Sequence, residues 1–251
     1  MNPTTSTPTR IEHRPAADRG ATDLGWLDSR HSFSFGHYHD PRKMAYHGLR
    51  VLNDDRVSAG AGFPEHPHRD MEILTWVLDG QLAHQDSMGH ASTLGPGSVQ
   101  LMSAGTGVTH SEFNASETHP VHFLQIWVQP AARGTEPRYQ EATPDPADRA
   151  GQFALLATPT PGESAADPSG ALTIGADARV FVADLGPGDH AKLDLAADRV
   201  AYVHVATGRV TVNDQPAAAG DAVTLEGVAR VDAVGGDEPA QLLAFVFPTA
   251  T

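Results

Sequence analysis

Ile73-Leu-Thr-Trp-Val-Leu-Asp-Gly80-Gln-Leu-Ala-His-Gln85 reads as two strands joined at Asp79-Gly80, because Asp-Gly between two β-rich runs marks a tight hairpin turn. The same rhythm continues outward from it. Gly95-Pro96-Gly97 makes a turn, Ser98–Met102 resumes a strand with Val99 and Leu101 on one face, and His122–Val128 gives another that ends at Gln129-Pro130. Very little of the chain has helical period. Many short strands between glycine-rich turns place it in the all-β class, as barrel or sandwich.

At 251 residues the chain is long enough for one large β domain or two of ordinary size. The pattern of its first half returns in the second. Val205-Ala-Thr-Gly208-Arg-Val-Thr-Val212 echoes Val77-Leu-Asp-Gly80-Gln-Leu-Ala-His84, and Gly220-Asp-Ala-Val-Thr-Leu225 echoes Gly97-Ser-Val-Gln-Leu-Met102. Between about Ala131 and Gly170 the composition shifts to Pro, Ala, Thr, Gly and Glu, with only Phe153–Ala157 strand-like. The expected layout is therefore two related β-barrels in tandem: a tail over 1–10, a first barrel over 11–135, a connection over 136–170 and a second barrel over 171–251.

Met1–Arg10 is mostly Thr, Pro and Ser, without the basic start and apolar stretch of a signal peptide. No apolar run approaches the roughly 20 residues that a membrane-spanning helix needs. A cytoplasmic protein that does not engage a membrane is expected. Cysteine is absent, which excludes disulfides, thiolate nucleophiles and thiolate-rich zinc sites, so a metal must be held by nitrogen and oxygen. The formal charge is −14, with 15 acids against 11 bases in residues 1–140 and 16 against 6 in 141–251. Such a balance disfavours direct nucleic-acid binding, and solubility accounts for it. Histidine shows the opposite bias: 12 of the 14 lie at or before His122. The chemistry is expected in the first half.

It concentrates in Glu65-His66-Pro-His68-Arg-Asp-Met-Glu72 and Gly105-Thr-Gly107-Val-Thr-His110-Ser-Glu112-Phe-Asn114. Residues two apart on a strand share a face, so His66 projects with His68 and His110 with Glu112. If both strands belong to one barrel, three imidazoles and a carboxylate can converge on a single ion. Such a set suits Fe(II), Mn(II), Co(II), Ni(II), Cu(II) or Zn(II) and leaves positions open for substrate or dioxygen.

At these residues the chain resembles the cupin superfamily. Gly60, His66, His68, Glu72 and Gly80 follow its first motif with one residue more before Gly80, and Gly107, His110 and Asn114 match the end of its second. Within that superfamily Phe63-Pro-Glu-His-Pro-His-Arg69, His84, Gly89-His90, Thr106-Gly-Val-Thr-His-Ser-Glu112 and, upstream, Gly25-Trp-Leu-Asp-Ser-Arg-His-Ser-Phe-Ser-Phe35 are similar to pirins. The resemblance implies two cupin barrels in tandem. It also implies metal ligation by His66, His68, His110 and Glu112, with Glu72 a neighbour and not a ligand. Counting from the turn glycines, the equivalent positions of the second barrel fall on Asp194, Ala196, Ala233 and Gly235, so no second metal site is expected.

Phe63, Trp76, Phe123, Gln125 and Trp127 are candidates for an aromatic pocket. His84 and His90 are candidates to orient the ligands. Two functions follow from the resemblance. One is a dioxygenase like quercetin 2,3-dioxygenase, with an ion such as Fe(II), O2 and a small flavonol-like aromatic substrate, and with Glu112 as general base. The other is a metal-dependent regulator that binds a partner protein, a transcription factor or metabolic enzyme. A monomer is expected in either case.

Overall fold

A computed structural model of the chain describes residues 8–159 and 170–249. In chain order its strands are β1 (Arg10–Arg14), β2 (Gly20–Asp23), β3 (Leu27–His31), β4 (Leu49–Val57), β5 (Gly62–His68), β6 (Glu72–Asp79), β7 (Leu82–Asp86), β8 (Ala91–Leu94), β9 (Val99–Ser103), β10 (Val108–Asn114), β11 (Val121–Val128), β12 (Arg138–Ala142), β13 (Ala154–Pro159), β14 (Leu172–Ile174), β15 (Arg179–Leu185), β16 (His190–Asp194), β17 (Arg199–Thr207), β18 (Arg209–Val212), β19 (Gln215–Ala218), β20 (Ala222–Glu226), β21 (Arg230–Gly235) and β22 (Ala240–Pro248). Among the described residues the only α-helix is the turn Pro146–Arg149. No helix is long and apolar enough to cross a membrane.

The chain divides into two compact units, one built from Arg19–Pro144 with Ala157–Asp177, the other from Met1–Asp18, Asp145–Leu156 and Ala178–Thr251. The first unit holds a seven-stranded sheet in the order β12-β9-β6-β11-β4-β3-β2 and a four-stranded sheet in the order β5-β10-β7-β8. Leu82 and Leu94 of the smaller sheet pack against Val57, Val77 and Phe123 of the larger one. The all-β, two-cupin architecture is present, with each cupin a pair of facing sheets and not a ring of unbroken hydrogen bonds.

The second unit repeats this plan: β20-β17-β22-β15 corresponds to β9-β6-β11-β4, and β16-β21-β18-β19 to β5-β10-β7-β8. The echo seen in the sequence is therefore a repeat of topology. Both hairpin glycines are required by the fold. Gly80 (φ +77°) and Gly208 (φ +74°) adopt left-handed backbone, and a Cβ at either would meet the backbone at the start of a central strand of its own unit, Pro120-Val121 before β11 or Pro239-Ala240 before β22.

Two stretches differ from the expected layout. Arg10–Arg14, divided in the sequence reading between tail and first barrel, forms β1 and pairs with β20 of the second unit, from Arg10 opposite Glu226 to Arg14 opposite Ala222. Only a long-range edge pairing puts it there, which local pattern cannot reveal. Most of the expected tail lies outside the described residues. The stretch read as a connection contributes β12, which pairs with β9, and β13, which pairs in parallel with β14. Residues 160–169 of it lie outside the described residues.

Candidate metal centre

The inward faces of β10 and β7 carry the chemistry. Along β10 the burial alternates so that Val108, His110, Glu112 and Asn114 point in, and along β7 Leu82, His84 and Asp86 do. The period of two that should bury apolar side chains here buries ionisable ones. Antiparallel pairing sets His110 opposite His66 on one side and Asp86 on the other, and Glu112 opposite His84. A β-bulge between His110 and Glu112 gives β5 one extra residue at that point. Bulges of this kind re-aim side chains beside functional sites.

His66, His68 and His110 converge. His110 Nε2 lies 3.1 Å from His66 Nε2 and 3.0 Å from His68 Nε2. His66 donates Nδ1–H to the Pro64 carbonyl at 2.8 Å, which leaves its Nε2 as a bare lone pair. An N–H between two of these nitrogens satisfies one pair at a time, whereas a cation among them takes a lone pair from each. The separations equal the edge of an octahedron with metal–nitrogen bonds of about 2.1 Å. The donor set thus fits a divalent transition ion, and His66 and His68, half-buried on an exposed strand, leave one side accessible.

Electrostatics favour the ligating form. Burial, reinforced by neighbouring imidazoles, pushes His68 down to about 4 and His110 down to about 3. Both rings are neutral at pH 7 and need lose no proton to bind a metal.

Glu112 groups with His84 and His110, while the tight group of three imidazoles does not include it. Its carboxylate is buried and held by Gln100 Nε2 (2.7 Å) on Oε1 and Gln125 Nε2 (2.7 Å) on Oε2, with the single proton of Thr75 Oγ1 placed between Oε1 (3.1 Å) and Gln125 Oε1 (3.0 Å). Oε2 retains a lone pair. These donors come from one cross-strand row of the large sheet, in which Gln125 faces Thr75 and Thr75 faces Gln100. Asn53 and His31 continue the row across β4 and β3. On the same inner face Asp55 is fully buried with Oδ1 unpartnered, and burial pushes its carboxyl up to about 7.

The other candidates separate. Trp127 stands edge-on to His68 with ring centroids 5.0 Å apart, and Phe35 packs on Trp127 at 5.4 Å. Phe63 lies against Trp26 at the apolar end of the unit. Trp76 and Phe123 are wholly buried core. Trp76 alternates with Thr75 along β6 and so points to the opposite face from the imidazoles. Glu72 shares that opposite face, where Oε2 accepts from Ser103 Oγ at 2.8 Å and from the Gly175 amide at 3.0 Å. His84 contacts His110, whereas His90 reaches the cluster indirectly, through Asp86 and through the ring of Tyr139.

Sequence reasoning missed Asp55, Thr75, Asp86, Gln100 and Tyr139. The signal for the first four was available as polar residues on the inward parity of strands, such as Thr75 between Ile73 and Val77, whereas Tyr139 lies on β12, which has no marked alternation.

The second unit supplies an internal contrast. Matching the two units through their hairpin registers, Val212 takes the place of His84, Val231 of His110, Ala233 of Glu112 and Leu193 of His66. The row Gln125-Thr75-Gln100 becomes Ala244-Val203-Val223. All but Leu193 are fully buried members of one apolar core, and Leu193 packs against it. Counting from glycines had missed these positions by one or two residues, because the loops around β16 and β21 differ in length from those around β5 and β10. The same architecture closes on hydrocarbon alone, so the polar interior of the first unit is not demanded by the fold.

Known proteins resemble this chain in sequence and in fold. A family model described as Pirin matches residues 12–128, and one described as Quercetinase C-terminal cupin domain matches 163–246. A protein of Escherichia coli named quercetin 2,3-dioxygenase is 39% identical over 235 residues, covering 94% of this chain and 97% of its own. A Pirin-like protein of Caulobacter vibrioides is 41% identical over 81% of this chain and 85% of its own. Among solved structures, the bacterial pirin YhhW of Escherichia coli in complex with nickel(II) has a TM-score of 0.87 and 36% identity, covering 96% of this chain and 100% of its own. With this likeness running through both units, the chain belongs to the pirin family.

Proposed function

We propose that this protein is a metal-dependent dioxygenase acting on a flavonol-like aromatic substrate such as quercetin, with one divalent ion, Fe(II), held by His66, His68, His110 and Glu112. The observation that carries the reading is the meeting of three imidazole Nε2 atoms whose burial keeps His68 and His110 neutral, on a face that is half open. The name of the Escherichia coli relative supplies the substrate class.

The bound ion would supply positive charge for an ionised substrate oxygen and a redox partner for O2. The chain's own residues do the rest. Trp127, edge-on to His68 and flanked by Phe35, offers an aromatic wall beside the imidazoles. Glu112 would accept the proton of the substrate hydroxyl through the lone pair of Oε2 that it otherwise gives to the ion, which requires it to loosen from the ion first. Thr75, Gln100 and Gln125 hold that carboxylate in place while it does so. The deciding experiment combines elemental analysis of protein made without added metal with O2 uptake on a flavonol panel. About one equivalent of metal and flavonol-dependent O2 consumption are expected. Iron-loaded protein that turns over no flavonol would rule out the substrate class, and two equivalents of specifically bound metal would rule out the single site.

A further inference from the structure

His110 has two ring nitrogens, and the proposed function uses one of them. The other, Nδ1, points away from His66 and His68 and lies 3.4 Å from His84 Nδ1. His84 Nε2 in turn lies 3.4 Å from Asp86 Oδ2. The side chains of both His84 and Asp86 are shut off from solvent. The ring of Tyr139 stacks on His84 at 4.7 Å and 16°, which holds the imidazole in the plane of the chain.

With both rings neutral and an ionised carboxylate at the end, one set of proton positions satisfies this chain. Asp86 can only accept, so His84 carries its proton on Nε2 and presents Nδ1 as an acceptor. His110 must then donate from Nδ1, which leaves its Nε2 bare and aimed at the other imidazoles. We propose that Asp86 and His84 are positioning residues that lock the proton of His110 on Nδ1 and so present Nε2 as the ligating nitrogen. The inference rests on His110 being a metal ligand. Partners of this kind fix the tautomer of ligating histidines in general, and the register of β7 against β10 assigns the role here to this pair.

The surroundings of Asp86 make a sharp test. Its Oδ1 accepts two backbone amides, Met88 N at 2.9 Å and His90 N at 3.0 Å, so in Asp86→Asn the amide oxygen must take that position. The amide nitrogen then takes the place of Oδ2, which faces His90 Nδ1 at 3.0 Å and His84 Nε2 at 3.4 Å, and its two hydrogens serve one ring each. It donates to His84 Nε2, the His84 proton moves to Nδ1, and His110 is left with its proton on Nε2, the nitrogen that faces His66 and His68. The variant keeps the shape of the turn while reversing the tautomers.

The experiment uses full-length protein, with imidazole nitrogen NMR of the metal-free form and zinc(II) affinity measured against a competing chelator. The parent is expected to show His110 protonated on Nδ1. Asp86→Asn should show it protonated on Nε2 and bind zinc(II) about 10–100-fold more weakly. An unchanged tautomer and unchanged affinity in Asp86→Asn would overturn the proposal. Should that variant fail to fold, His84→Phe keeps a ring against Tyr139 and removes both nitrogens. A mixture of His110 tautomers with at least roughly tenfold weaker binding is expected there, and parental behaviour in both readouts would overturn the proposal. A parent that binds no zinc(II) at all would sink the metal assignment, whereas a parent that binds tightly beside an unaffected Asp86→Asn would sink this inference alone.

Discussion

At the scale of single residues, the site makes three demands that can be measured separately. Replacing His66 or His110 by Ala removes one of three converging nitrogens and should abolish tight metal binding, while His190→Ala, at an exposed strand end of the second unit, should leave metal content unchanged. Inductively coupled plasma analysis after dialysis distinguishes the two. The second demand concerns protons. His68 and His110 are lowered to about 4 and about 3 in the folded chain, against about 6.5 unfolded, so at intermediate pH the unfolded state binds protons that the folded state refuses. Their contribution to stability is full above about pH 6.5 and is lost as pH falls through that value toward the folded ones. Metal-free protein should therefore lose stability from pH 6.5 to 4 more steeply than a His110→Gln variant, and parallel urea titrations that gave equal slopes would contradict this. The third concerns Glu112. In Glu112→Gln the amide nitrogen must face a donor, Gln125 Nε2 on one side or Thr75 and Gln100 on the other. A loss of about 1–3 kcal/mol in stability is expected from that mismatch. Flavonol turnover of the metal-loaded variant should fall about 10²–10⁴-fold, and a substrate already ionised in solution should recover part of it. Full activity at neutral pH would leave Glu112 without a role as base. At this scale the sequence was informative where chemistry is carried by rare types. His66, His68, His110 and Glu112 stood out because ligand-type side chains two apart on a strand, as His-x-His and His-x-Glu, are uncommon. Thr75 and Gln100 did not, and Gln125 stood out only as a pocket candidate, since each is an ordinary polar residue until the register lines them up beneath Glu112.

At the scale of elements, hairpin chemistry was the legible part. Asp79-Gly80 marked the β6–β7 turn, and the structure adds why no other residue serves: a Cβ at Gly80 would lie 2.6 Å from the Pro120 carbonyl oxygen, with φ at +77°. Gly80→Ala is expected to cost roughly 1–3 kcal/mol, from left-handed strain together with displacement of the start of β11. A chemical-denaturation midpoint equal to that of the parent would show that the turn relaxes freely. Element boundaries in the stretch read as a connection were not legible. Arg138–Ala142 has no marked alternation, and it is a strand because the free edge of β9 offers it a ladder. The direction of Glu72 was equally hidden. It differs from Thr75 only by parity on β6, and one residue decides whether a carboxylate faces the imidazoles or Ser103 and Gly175.

At the scale of the whole molecule, the two-cupin plan was readable from the returning Gly80 and Gly208 rhythm, while the assignment of β1 to the second unit was not. That assignment is held by five paired positions, by His13 Nε2 at 3.1 Å from Asp221 Oδ2, and by the Ala16 amide at 2.6 Å from Asp221 Oδ1. Deleting residues 1–14 should uncover the edge of β20, lower the thermal stability of the second unit and promote aggregation, with metal content of the first unit retained. Metal loss accompanying the deletion would show that the two units do not stand independently. The pairing also orders events during synthesis. β1 leaves the ribosome before any other described strand, yet Arg10 must wait for Glu226. At about 5–20 residues per second that wait lasts roughly 10–40 s, while the whole metal-binding unit is made and free to fold. Throughout it the nascent chain carries an unpaired strand whose cognate edge is also emerging from neighbouring ribosomes on the same message, which opens a route to strand exchange between newly made copies.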